Sequence, residues 1–97
     1  MAYDPGAIDA TLAAAVGDEP ALIAELREAF IESVKRGLSV LEAAQGDAAW
    51  RAAAFRLRGL AASFGAVRLM AIATEAAEVC AQDPALLRRL RRAVERL

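Results

Sequence analysis

The chain predicts an all-α fold, an antiparallel four-helix bundle with a short extra N-terminal helix, and three observations carry that expectation. Alanine, the best helix former, supplies much of a 58% hydrophobic content, while aromatic residues make up only 5% of the 97 residues. Apolar residues recur at three- and four-residue spacing, the period of one helix face. Glycine, proline and capping residues cut the chain into five such segments, and none alternates with the two-residue period of a strand. A chain of 97 residues suits a single domain, 1–97.

The first segment reads as a helix from about Ala7 to Val16, with Ile8, Leu12 and Ala15 on one face and Gly17 as its stop. Asp18-Glu19-Pro20 has the form of an N-terminal cap with proline in the first turn. The second helix, Pro20 to Ala44, is the longest, and Ile23, Leu26, Phe30, Val34, Gly37, Leu41 and Ala44 form its core stripe. A glycine on that stripe predicts a close approach by a neighbouring helix. Gly46 ends the helix and Asp47 is placed to cap the next one.

The third helix, from about Ala48 to Phe64, directs Trp50, Ala54, Leu57, Ala61 and Phe64 inward, and Gly65 suits the left-handed residue that ends it. The fourth carries Leu69, Ala73, Ala76 and Cys80 inward with Ile72 beside them, so Cys80 reads as a small core hydrophobe. Asp83-Pro84 starts a fifth, with Leu86, Leu87, Leu90, Val94 and Leu97 on its inner face. Short connections between these segments predict antiparallel neighbours.

Composition narrows the chemistry. The chain contains no histidine and one cysteine, which excludes an internal disulfide and leaves no basis for a metal site or another cofactor. Charges break the apolar segments well before a membrane-spanning length, so no membrane association is expected. Met1-Ala2-Tyr3-Asp4-Pro5 lacks the basic and apolar regions of a secretory signal, which predicts a cytoplasmic protein. The net charge of −1 is unevenly divided: residues 1–47 hold nine acidic and three basic side chains, residues 48–97 four acidic side chains and nine arginines. An acidic and a basic flank are expected.

The most informative run is Phe55-Arg56-Leu57-Arg58-Gly59-Leu60-Ala61-Ala62-Ser63-Phe64-Gly65-Ala66. It resembles the phosphoacceptor helix of the histidine-containing phosphotransfer (HPt) domain family, which reads His-x-Leu-Lys-Gly-x-Ala-x-x-x-Gly. Leu57, Gly59, Ala61 and Gly65 match, Arg58 stands for the lysine, and Phe55 stands for the histidine. The resemblance extends to the Ile8-Asp9 opening, Gly17-Asp18, Phe30 in the long second helix, and Ser63-Phe64-Gly65-Ala66. The family's glutamate near the end of the fourth helix is matched by Glu75 or Glu78, with the register open.

A phenyl ring has neither the nucleophilic nitrogen nor the titrating proton that phosphoryl transfer by histidine requires. The resemblance therefore implies a module that is not an enzyme, one that binds a response-regulator receiver domain or a histidine kinase without carrying phosphate. Turning the third helix by about 100° per residue places Phe55 roughly 140° from the core direction, on an outer arc with Arg51, Arg58, Gly59 and Ala62. In the family this patch docks the receiver, the small residues admitting its active site. Whether Phe55 was introduced into, or drifted within, a working phosphotransfer protein stays open at this point.

Two other classes compete. The Phe55 patch can serve as a two-fold self-association contact, giving a weak homodimer in place of a monomer. The arginines of the last helix, Arg88, Arg89, Arg91, Arg92 and Arg96, can supply phosphate contacts to a nucleic acid. They are interrupted by Glu95 and interleaved with no aromatic residue, so a solvated face without nucleic acid is the expectation.

Overall fold

The computed structural model describes residues 5–17 and 19–97, with side chains described from residue 8 onward. These residues form five helices, α1 (Pro5–Val16), α2 (Pro20–Ala43), α3 (Asp47–Ser63), α4 (Val67–Ala76) and α5 (Pro84–Glu95), and no strand occurs among them. The fold is all-helical, as the composition and periodicity imply. Helices α2 to α5 close a ring in which α2 touches α3 and α5, and α4 touches α3 and α5. Helix α1 packs on α2.

The local signals explain the boundaries. Proline occupies the start of α2 and of α5, where its missing N–H costs nothing. The Asp83 carboxylate accepts the Leu86 N–H at 2.9 Å and caps α5 as the sequence leads one to expect. Gly17, Gly46 and Gly65 all have positive φ, the conformation that stops α1, precedes α3 and follows it. After α3 the Gly65 N–H bonds the Ala62 carbonyl and the Ala66 N–H reaches back to Ala61 at 2.9 Å, a Schellman pairing that fixes the α3–α4 corner.

The core joins all five helices through side chains that are entirely apolar, and no polar or charged residue is buried among the described residues. Trp50, Phe30, Ile8, Leu41, Leu57, Leu69, Leu90 and Val34 are its largest fully buried members. The Phe30 ring stacks on Phe64 with centroids 4.5 Å apart, binding the first half of α2 to the end of α3. At Gly37, α3 fills the space a side chain would need: a methyl group there would stand 3.3 Å from Leu57 Cδ1. The stripe glycine is thus explained by the leucine that fills its space.

Ionic and capping contacts lie on the rim. Arg27 bonds Asp9 of α1 with one guanidinium nitrogen and the Leu97 carbonyl, 2.8 Å away, with the other. Arg91 of α5 pairs with Glu42 of α2 at 2.6 Å. Arg89 of α5 binds both carboxylate oxygens of Glu75 on α4, at 2.8 and 2.9 Å. Those hydrogen bonds, helped by the guanidinium's charge, hold the Glu75 carboxyl below the usual glutamate range and push Arg89 upward.

Several expectations need correction. Helix α4 ends at Ala76, so Cys80 lies beyond it and is exposed rather than inward. The chain turns there through Glu78 N–H to the Glu75 carbonyl, and the following segment docks on the α2–α3 corner. In that dock Asp47 accepts the Ala81 N–H at 2.9 Å and gives no side-chain cap to its own helix, whose cap position is Gly46. Gln82 adopts a positive φ of 63° and donates to the Ala44 carbonyl at 2.8 Å, closing the end of α2. Ala15 is exposed because α1 meets only α2, and that contact covers Ile8 and Leu12. The cap expected of Asp18 falls outside the described residues, and Glu19, the cap position of α2, makes no side-chain bond.

Two outcomes follow from the packing. Leu57→Ala, which empties a site against Gly37, is expected to lower unfolding free energy by about 2–5 kcal/mol, while Arg56→Ala on the exposed flank stays within about 0.5 kcal/mol. Denaturant titration of both variants checks the rotation of α3.

The second outcome concerns pH. A carboxyl whose pKa is lowered by folding stabilises the fold above its unfolded pKa, and that contribution disappears as pH falls through the folded value. Because Glu75 and Arg89 are each about half exposed, Arg89→Ala should cost only about 0.2–1 kcal/mol at neutral pH. Stability measured on acidification should show wild type and variant converging as Glu75 protonates.

Candidate functional site

The candidate surface is set by the rotation of α3. Trp50, Ala53, Ala54, Leu57 and Ala61 are buried on its inner side, which turns Arg51, Phe55, Arg58, Gly59 and Ala62 to the outside. All five of the residues picked from the sequence are exposed and share this face. Phe55 keeps 47% of its surface in solvent.

The Arg58 guanidinium carbon lies 5.1 Å from the centre of the Phe55 ring. This stacking is a cation–π contact, worth about 0.5–1 kcal/mol at an exposed position. It also places a positive charge beside the exposed ring. Arg51, one turn earlier, has no hydrogen bond or ion pair among the described residues. No acidic side chain follows Asp47 in α3, and Asp47 is engaged with Ala81.

Gly59 distinguishes an ordinary solvated face from a docking surface. An interior helical glycine costs about 1 kcal/mol relative to alanine. At Gly37 the neighbouring Leu57 accounts for it, but among the described residues nothing lies within 4 Å of the position of a Gly59 Cβ. Internal packing does not require this glycine. The Ser63 hydroxyl donates to the Gly59 carbonyl at 2.9 Å, so even the adjoining serine is turned along the helix.

The remaining sequence candidates fall elsewhere. Of the arginines in and just after α5, Arg89 and Arg91 are occupied by Glu75 and Glu42, while Arg88, Arg92 and Arg96 are exposed and make no ion pair among the described residues. Glu75 is committed to Arg89, while Glu78 is exposed in the turn beyond α4. Sequence reasoning missed the contact between Arg58 and Phe55, although their i, i+3 spacing on a helix is the signal that predicts it. Among the described residues no group of three or more metal-ligating side chains comes together, and no helix is long and apolar enough to cross a membrane.

Comparison with family models, with curated proteins and with solved structures finds no match to this chain. The geometry of the α3 face and the motif it carries are therefore the whole basis for a functional reading.

Replacing Gly59 with alanine tests whether the fold itself needs the glycine. With open space around the new methyl group, Gly59→Ala should stabilise the protein by about 0.5–1 kcal/mol. Gly37→Ala should give a smaller gain or a loss, since Leu57 has to move. Thermal unfolding of the two variants reads the difference.

Proposed function

We propose that the chain is a non-catalytic HPt-like module of a two-component phosphorelay, binding a response-regulator receiver domain or a histidine kinase without accepting phosphate. On this reading the ring of α2 to α5 is the antiparallel four-helix bundle of that family, with α1 as its extra N-terminal helix, and the protein acts in the cytoplasm. The observation that carries the reading is the exposed Gly59 beside Phe55, a costly glycine that no contact among the described residues requires. A partner that must approach the α3 backbone closely supplies the missing reason.

The motif adds the kind of partner. Leu57, Gly59, Ala61 and Gly65 stand where the family's helix has them, with a cation at Arg58 and a phenyl ring in place of the nucleophile. Phe55 then acts as a hydrophobic anchor, contributing about 1.5–3 kcal/mol if a partner buries it fully. The module sequesters, scaffolds or competes.

Self-association through the same patch is disfavoured by its charge. A two-fold contact through the patch would bring the two guanidinium groups of one copy near those of the other, and among the described residues α3 itself offers no free carboxylate to offset them. A monomer with a patch suited to an acidic surface follows.

The test is direct binding to a panel of isolated receiver domains and kinase domains from the source organism. Gly59→Glu should reduce the affinity for the cognate partner at least about tenfold while helicity is kept, because it obstructs approach and opposes an acidic pocket. Incubation with an active kinase and its receiver should leave no acid-labile phosphate on the chain. An unchanged affinity for Gly59→Glu, with binding abolished by charge reversal at Arg88 and Arg92, would move the functional surface to α5 and sink the proposal.

A further inference from the structure

Helix α1 stands outside the ring that α2 to α5 close, and it packs on α2 alone. We infer that α1 is a hinged lid that swings away from α2 as one unit about Gly17 while the ring stays folded, with Arg27 as the latch that holds it shut.

The ring does not need α1 to persist. Ile8 and Leu12, one turn apart, are the buried side chains of α1, and every other buried apolar residue among the described ones lies in α2 to α5 or at the α3–α4 corner. The first half of α2 belongs to the ring only weakly: it has no buried residue before Phe30, and Ile23 and Leu26 are partly covered. A helix of 12 residues is marginal in water by itself, so α1 keeps its form through its seat on α2. Releasing two large side chains is a far smaller step than opening the ring, and such a step belongs to the low end of the range of local unfolding free energies.

A hinge and a latch flank the seat. Gly17 has a φ of 84°, its N–H closes the last turn of α1 on the Ala13 carbonyl at 2.9 Å, and among the described residues nothing lies within 4 Å of the position of its Cβ. A glycine in open space at a helix end can change φ and ψ at little steric cost. On the other side, one guanidinium nitrogen of Arg27 bonds the Asp9 carboxylate of α1 while a second bonds the Leu97 carbonyl beyond α5 at 2.8 Å. The Arg27 side chain is 24% exposed, against about half for Arg89 and Arg91, so its charge is the least screened of the three ion-paired arginines. Arg27 thus fastens the lid to α2 and, through itself, to the end of α5. When the lid opens, Ile8 and Leu12 meet solvent and the part of α2 they cover is bared.

The experiment is native-state digestion of the whole chain with thermolysin, which cleaves before large apolar residues, with the fragments timed by mass spectrometry. When opening is fast relative to cleavage, the rate of a cut tracks the population of the open form. The cut before Leu12, in the middle of α1, should run at least about a hundredfold faster than the cuts before Leu57 and Leu60 of α3, and at least about tenfold slower than in a free peptide of residues 5–17. Arg27→Ala should speed the Leu12 cut at least about threefold and leave the α3 cuts within about twofold. Equal rates at Leu12 and in α3 overturn the lid, since α1 then leaves only when the whole bundle unfolds. A Leu12 cut as fast as in the free peptide overturns it as well, because no closed state is populated. If Arg27→Ala leaves the Leu12 cut unchanged, or speeds the α1 and α3 cuts alike, the latch is overturned: in the first case Arg27 holds nothing, and in the second it supports the bundle as a whole.

Discussion

The arrangement depends on the indole of Trp50. Its Nε1–H donates to the Ala76 carbonyl at 2.7 Å inside the core, where an unpaired polar hydrogen would cost about 1–3 kcal/mol. Ala76 is the last residue of α4, so the bond fills a carbonyl that the helix leaves open. One contact therefore satisfies a buried donor and ties the start of α3 to the end of α4, at a carbonyl that also accepts the Val79 N–H at 3.4 Å. With Leu57 seated against Gly37 a few turns on, α3 is held at two points along its length and has little freedom to rotate. The face that carries Phe55 is outward because the opposite face is locked.

That dependence explains which parts of the molecule were legible in the sequence. Core positions follow from periodicity, and every inward residue proposed for α3 is buried or partly buried. Caps that act within a few residues were equally readable, as Asp83 and Gly65 show. Contacts across long sequence separations were not. Asp47 has the position of a local cap, yet it is drawn to Ala81, thirty-four residues away. Nothing around Gln82 announces a left-handed residue, because its conformation is held by the exposed end of α2. Cys80 was misplaced for the same reason: the helical period continues past Ala76, but the packing does not. Leu38 is a milder case, buried beside the α2 stripe because that helix touches both α3 and α5 and needs a broader apolar face.

The candidate site shows the complementary pattern. Its members were legible through the run Phe55 to Ala66 and through the helical phase that turns Arg51, Phe55, Arg58, Gly59 and Ala62 away from the core. Sequence alone could not separate the two glycines of α2 and α3, which look alike as interruptions of good helix. Only the surroundings distinguish Gly37, packed against Leu57, from Gly59, which faces open space. Stability accounts for the first and not for the second, and this asymmetry is what turns the α3 face from an ordinary solvated surface into a docking candidate.

The segment between α4 and α5 has a different thermodynamic character from the helices it joins. It is held by the Ala81–Asp47 and Gln82–Ala44 hydrogen bonds at the rim, while Val79 and Cys80 remain exposed. Such a connection can open at a fraction of the global unfolding free energy, since few apolar contacts are lost when it lifts. Amide protons of residues 77–83 would then exchange through local opening, while those of the Trp50 turn wait for cooperative unfolding. The Cys80 thiol in this unit is already exposed, so its chemical modification requires no opening and does not report the integrity of the core.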